Sequence, residues 1–159
     1  MAKSYKLTGH YASITDEIMD SPAYQDLKPP AIALLLWFLY IHRPIRNGRL
    51  SITTKAAMKL LKVTEKVACR AFYELAEHGF INLISYEDWY NSKGREWAIT
   101  FLPVNNREPT NDYRQWKQGI NLCPDLPRPD WLKPNNDLSK RRHNAHQTAG
   151  VIPIKTQVK

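Results

Sequence analysis

Between Thr64 and Leu75 the polar side chains recur at helical spacing. Turning Val67, Ala71 and Leu75 inward, with Phe72 as a further inner position, leaves Thr64, Glu65, Lys66, Cys69, Arg70 and Tyr73 on the outer face. This set offers directional hydrogen bonding: a planar guanidinium fork at Arg70, an ammonium at Lys66, a carboxylate acceptor at Glu65, and hydroxyls at Thr64 and Tyr73. It does not offer bond-breaking chemistry. The chain has only six glycines and no Gly-rich phosphate loop, and no serine sits in a Gly-x-Ser-x-Gly context. Neither clustered carboxylates nor a tyrosine with paired histidines occurs at recognisable spacing. Asp16, Glu17 and Asp20 read as helix-start charge rather than a metal site, and Cys69 as a small, half-buried residue rather than a reactive thiol. No enzymatic activity, cofactor or metal is expected.

The charge balance says what such a face would meet. Twenty-three Lys and Arg stand against fifteen Asp and Glu, a formal net charge of +8. Anionic partners are therefore favoured, nucleic acid first and an anionic membrane surface second. The apolar run from Ala31 to Ile41 is far shorter than the ~20 residues a membrane span requires, and the first residues lack a signal-peptide apolar stretch. Cys69 and Cys123 are too few for a disulfide framework or a four-ligand zinc site, which suits a reducing cytoplasm. His143 and His146 have no ligand-type neighbours at metal spacing.

Several elements must hold the polar face in place. Residues 1–14 are polar and expected to be flexible. Thr15-Asp16-Glu17 starts a short helical lead-in that Ser21-Pro22 interrupts. Lys28-Pro29-Pro30 opens a helix that is apolar nearly all round, so burial is expected for it; Pro44 ends it. Asn47-Gly48 marks a turn and Leu50 and Ile52 a very short strand. Thr53 or Thr54 caps a helix with Ala56, Ala57, Leu60 and Leu61 inward. Lys62-Val63 breaks it, Thr64 caps the next helix, and Gly79 stops that one. Two strand-like segments on either side of Asn91-Ser92-Lys93-Gly94 read as a hairpin with Lys93 and Arg95 at its tip. From residue 104 prolines recur without a sustained apolar period, and an extended or disordered basic tail is expected. Trp116, Leu122, Leu126, Trp131 and Leu132 are more apolar than a linker needs and could pack back onto the domain or onto a partner.

This order, an α+β and mainly α arrangement over residues 15–103 with a proline-rich basic extension over 104–159, resembles the winged helix-turn-helix family. Thr64-Glu65-Lys66-Val67, Leu75 and His78-Gly79-Phe80-Ile81 carry the resemblance most specifically. It implies that the second helix of the pair enters the major groove of double-stranded DNA while the hairpin lies along the backbone or minor groove. Small size, a basic tail and the lack of a ligand domain give it the style of a regulator or replication protein of a phage, plasmid or other mobile element.

Physical chemistry assigns expected roles on that basis. Arg70 suits a bidentate contact to guanine, Lys66 a base or phosphate, Glu65 a cytosine amino group, and Tyr73 a phosphate or sugar. Thr53, Thr54 and Lys55 suit backbone contacts that fix register, and Lys93 and Arg95 add electrostatic contact from the wing. Glu74, Glu77, Glu87, Asp88 and Glu96 should face away. Lys140, Arg141 and Arg142 could follow phosphates or enter a minor groove as an arm, although a solubilising stretch is the commoner role for such a run. The expected activity is sequence-specific DNA binding in transcription regulation. A homodimer is expected because one helix reads only a few base pairs, with the apolar first helix or the tail as its interface. A replication initiator or partition factor, or a winged domain that binds proteins, are the alternatives.

Overall fold

In the computed structural model, residues 11–85 and 95–132 are described. The lead-in is two short helices, α1 (Asp16–Met19) and α2 (Pro22–Asp26), separated where Ser21 caps α2 by accepting from the Tyr24 N–H at 3.2 Å. Pro29 and Pro30 occupy the first turn of α3 (Pro29–Ile41), where a missing N–H costs no hydrogen bond. The Lys28 N–H just before it donates to Glu74 Oε1 at 2.6 Å, a cap supplied from a distant helix. Ala31, Leu34, Leu35, Phe38 and Leu39 are buried. The expected all-round burial of α3 is not what the structure has: Leu36 and Tyr40 are 43% and 54% exposed, because the two helices that follow in the chain cover one side only.

Helices α4 (Thr54–Leu61) and α5 (Glu65–Glu77) follow. Thr53 Oγ1 accepts from the Ala56 N–H at 3.1 Å and caps α4. Lys62 stops α4 in the left-handed region at φ 55°, and the Val63 N–H returns to the Met58 carbonyl at 3.2 Å. The inner stripe of α4 is narrower than expected. Ala57 is buried, Ala56 and Leu61 are half-buried, and Leu60 is exposed. On α5, Ala71, Phe72 and Leu75 are buried as read from the spacing, and Ala68 replaces Val67 as the fully buried residue of the first turns. Thr64 stands at the N-cap position of α5, but its hydroxyl makes no cap bond. We therefore expect Thr53→Ala to cost about 1 kcal/mol of stability and Thr64→Ala less than ~0.5 kcal/mol, a contrast that urea denaturation would read directly.

Strands β1 (Ile81–Ser85) and β2 (Glu96–Ile99) pair antiparallel, Ile81 opposite Ile99 and Leu83 opposite Trp97, with a bulge between Leu83 and Ser85. The short strand expected at Leu50–Ile52 contracts to one bridge, in which Leu50 and Trp97 exchange backbone hydrogen bonds of 3.1 and 2.8 Å. Asn47 fixes that edge. Its side chain is 1% exposed; Nδ2 donates to the carbonyls of Ile99, Leu102 and Pro103, and Oδ1 accepts from the Ile99 N–H at 2.8 Å. Phe38, Phe72 and Trp97 form a run of ring contacts across α3, α5 and β2, and burying such rings contributes about 1.5–3 kcal/mol each.

The extended tail expected from residue 104 does not begin there. One compact unit runs through Leu126, and Tyr113, Trp116 and Leu126 are buried in it. A 3-10 turn at Asp112–Gln115 stacks Tyr113 on Phe80 at 5.4 Å, and Trp116 stacks on His78 at 4.4 Å. The Leu122 N–H donates to the Glu77 carbonyl at 3.0 Å. Aromatic burial and backbone pairing win over the proline content because neither Pro109 nor Pro124 occupies an anchoring position. The second unit starts at Pro127, and its described part contains a 3-10 turn at Asp130–Leu132.

Candidate nucleic-acid interface

The pair α4–α5 positions most of the polar residues singled out from the sequence. The two helices are joined by residues 62–64, so the start of α4 lies beside the outer face of α5: Thr54 Oγ1 is 4.0 Å from Cys69 Sγ. Thr53, Lys55, Thr64, Glu65, Lys66 and Arg70 are exposed, and Thr54 and Cys69 are half-buried. From Thr53 to Tyr73 the chain carries Lys55, Lys59, Lys62, Lys66 and Arg70, all exposed, against Glu65 as the one carboxylate. An unscreened group of cations of this kind attracts polyanions within a Debye length of about 8–10 Å at moderate salt.

Tyr73 departs from its expected place. It is 3% exposed, not outward, because Arg95 covers it: the guanidinium lies 5.8 Å from the ring centroid and Nη1 is 3.4 Å from the hydroxyl. A free phosphate- or sugar-contacting hydroxyl at Tyr73 is thereby excluded in this arrangement. Arg95 directly precedes β2, at the end that faces the hairpin turn, where it is half-buried and connects the sheet to α5; the turn residues 86–94 lie outside the described residues. A cation over an aromatic face contributes on the order of 0.5–1 kcal/mol when exposed and more when desolvated. Tyr73 thus fixes Arg95 against α5, on the helix that carries Arg70 one turn earlier.

The carboxylates behave differently from the cations. Glu74 is turned to the start of α3, where it takes the Lys28 N–H, and Glu77 and Glu96 are half-buried. Glu87 and Asp88 lie outside the described residues, as do Lys93, Lys140, Arg141 and Arg142. Lys59 and Lys62 escaped the sequence reading. They lie outside the outward set of α5, and only the left-handed break at Lys62 turns that side chain onto the exposed junction of the two helices. The signal that could have found them is the charge count over residues 53–73.

No described helix is long and apolar enough to cross a membrane. Comparison of the chain with family models, with curated proteins and with solved structures returns no match.

Proposed function

We propose that this protein binds double-stranded DNA through a winged helix-turn-helix, with α5 as the reading helix in the major groove and the β1–β2 hairpin as the wing, and that it regulates transcription in a sequence-specific way. The observation that carries the reading is the exposed pair Lys66 and Arg70 on the first two turns of α5, with the start of α4 alongside and one carboxylate among five cations. A helix fits the major groove, and residues near its N-terminus reach deepest. Arg70 would pair with guanine and Lys66 with a base or phosphate. Thr53, Thr54 and Lys55 would set register on the backbone. Arg95, held by Tyr73, would approach the backbone beside the reading helix.

The test is fluorescence anisotropy with a random-sequence duplex over a salt series, comparing the protein with its Lys66→Ala/Arg70→Ala variant. We expect affinity to fall steeply as salt rises. The double variant should bind roughly 10–100-fold more weakly at fixed salt, as loss of two charged contacts implies. A selected high-affinity site would then show relaxed preference at the position Arg70 reads. No binding at low salt, or equal binding by the two proteins, overturns the proposal.

A further inference from the structure

The chain that leaves α3 forms a basic loop with a single apolar point. Residues 43–49 run Arg-Pro-Ile-Arg-Asn-Gly-Arg, three arginines with no carboxylate. Ile45 is 91% exposed, the most exposed of the large apolar side chains among the described residues. Its backbone is nevertheless held firmly. Pro44 opens a 3-10 turn with its ring-fixed φ. The Arg46 N–H donates to the Arg43 carbonyl at 2.8 Å, and the Arg49 N–H to the Arg46 carbonyl at 2.9 Å. The buried Asn47 amide ties the loop to Ile99, Leu102 and Pro103. Arg43 closes α3 by donating to the Tyr40 and His42 carbonyls, whereas Arg46 and Arg49 are exposed.

A second turn stands against this loop. Val104 and Arg107 exchange backbone hydrogen bonds of 3.3 and 2.9 Å around Asn105 and Asn106, which are left-handed at φ 48° and 62°. Val104 packs at Gly48, where an added Cβ would be 3.2 Å from its Cγ1. Asn105, Asn106 and Arg107 are exposed, as is Glu108, the next residue in the chain. Among the described residues, Arg46, Arg49 and Arg107 have no carboxylate partner.

We infer that this edge is a second nucleic-acid contact, in which Ile45 enters the minor groove of a duplex as a wedge between base pairs while Arg46, Arg49 and Arg107 take the flanking phosphates. The set of side chains selects that occupant. Minor-groove proteins unstack a base step with an apolar side chain such as Ile, and read the groove with Arg and Asn. Here the apolar point is single, and the three cations are guanidiniums, which grip phosphate in a planar fork. Asn105 and Asn106 add amides that both donate to and accept from base edges. A wedge must also be stiff, because unstacking costs a few kcal/mol per step and a mobile loop would retract instead; the Asn47 anchor supplies the stiffness. A lipid surface would gain only one buried Ile and nothing from the two amides. The contact is separate from the α4–α5 face: Asn47 is fixed on Ile99, four residues on from Arg95, roughly 13 Å at ~3.3 Å per residue. The inference rests on the reading that the chain binds duplex DNA, and not on which helix reads it.

A duplex with several T-A steps, which unstack readily, carrying 2-aminopurine in place of adenine at those steps, tests the wedge. The emission of 2-aminopurine rises when the base leaves the stack. Saturating protein should produce that rise, and Ile45→Ala should lose it. The Ile45→Ala variant should bind within ~10-fold of the parent's affinity and keep its thermal midpoint, because the side chain is exposed. Arg46→Gln/Arg49→Gln should flatten the slope of log affinity against log salt by about 2. Lys66→Ala/Arg70→Ala should still give the rise at saturation. No rise with the parent on a duplex it binds, or an equal rise with Ile45→Ala, overturns the inference and leaves the DNA-binding reading standing. A rise that depends on Ile45, with affinity unchanged in Lys66→Ala/Arg70→Ala, supports the wedge and removes α5 as the reading helix. Absence of duplex binding overturns both. Attachment to phosphatidylserine vesicles that Ile45→Ala abolishes, without a rise on the duplex, overturns the inference in favour of a membrane contact.

Discussion

Gly79→Ala is expected to lower the stability of the fold by at least ~3 kcal/mol, from two causes that can be separated. The first is conformational: Gly79 ends α5 at φ +75°, where a side chain costs about 1–2 kcal/mol. The second is steric. A Cβ at this position would lie 2.9 Å from the carbonyl carbon of Asp112 and from the nitrogen of Tyr113, backbone atoms that cannot move aside like a side-chain end, and 2.8 Å from Leu122 Cδ1. Gly119 supplies the control. It has φ +83° with nothing within 4 Å of an added Cβ, so Gly119→Ala should show the conformational part alone, about 1–2 kcal/mol. Urea denaturation of the two variants gives both figures, and equal losses at the two sites would refute the close approach of residues 112–113 to the end of α5.

Asn47→Ala should cost roughly 3 kcal/mol, since one buried amide satisfies an N–H and three carbonyls and its removal strands the Ile99 N–H away from water. Asn47→Asp keeps the shape and the acceptor for the Ile99 N–H, but it turns an oxygen toward the three carbonyls and buries a charge where the side chain is 1% exposed. Its loss should equal or exceed that of Asn47→Ala at neutral pH. Faster amide exchange at Ile99, Leu50 and Trp97 should accompany both. If Asn47→Asp were as stable as the parent, the donor role of the amide would be wrong.

Much of the α-helical frame was legible because its signals are local. Paired prolines opened α3, a threonine capped α4, and Gly79 closed α5. What local patterning did not reveal depends on contacts between distant residues. Asn47-Gly48 reads as a turn in isolation, and nothing near it announces that the side chain will reach 52 to 56 residues along the chain. Tyr73 belongs to the outer face of α5 by helical spacing, yet it is buried, with Arg95, just before β2, lying across its ring. The segment after residue 103 has no apolar period, since it contributes single anchors, Tyr113, Trp116 and Leu126, to grooves made by other elements. Of the proposed interface, the outward charges of α5 were readable from spacing, whereas the exposed cation at Lys62 came from a left-handed backbone.

The clasp of residues 112–126 on the end of α5 also sets when the chain can finish folding. Phe80 is closed by Tyr24 from one side and Tyr113 from the other, and Arg114 reaches Glu17 at 2.6 Å. These pairings join residues far apart in the order of synthesis. At about 5–20 residues per second, the interval between Gly79 and Leu126 leaving the ribosome is roughly 2–10 s. Throughout that interval the helices can form, but the pocket at Phe80 and the backbone at Gly79 stay open to solvent and to neighbouring nascent chains. Slower synthesis across residues 80–126 lengthens the time in which that exposed apolar surface can meet other chains.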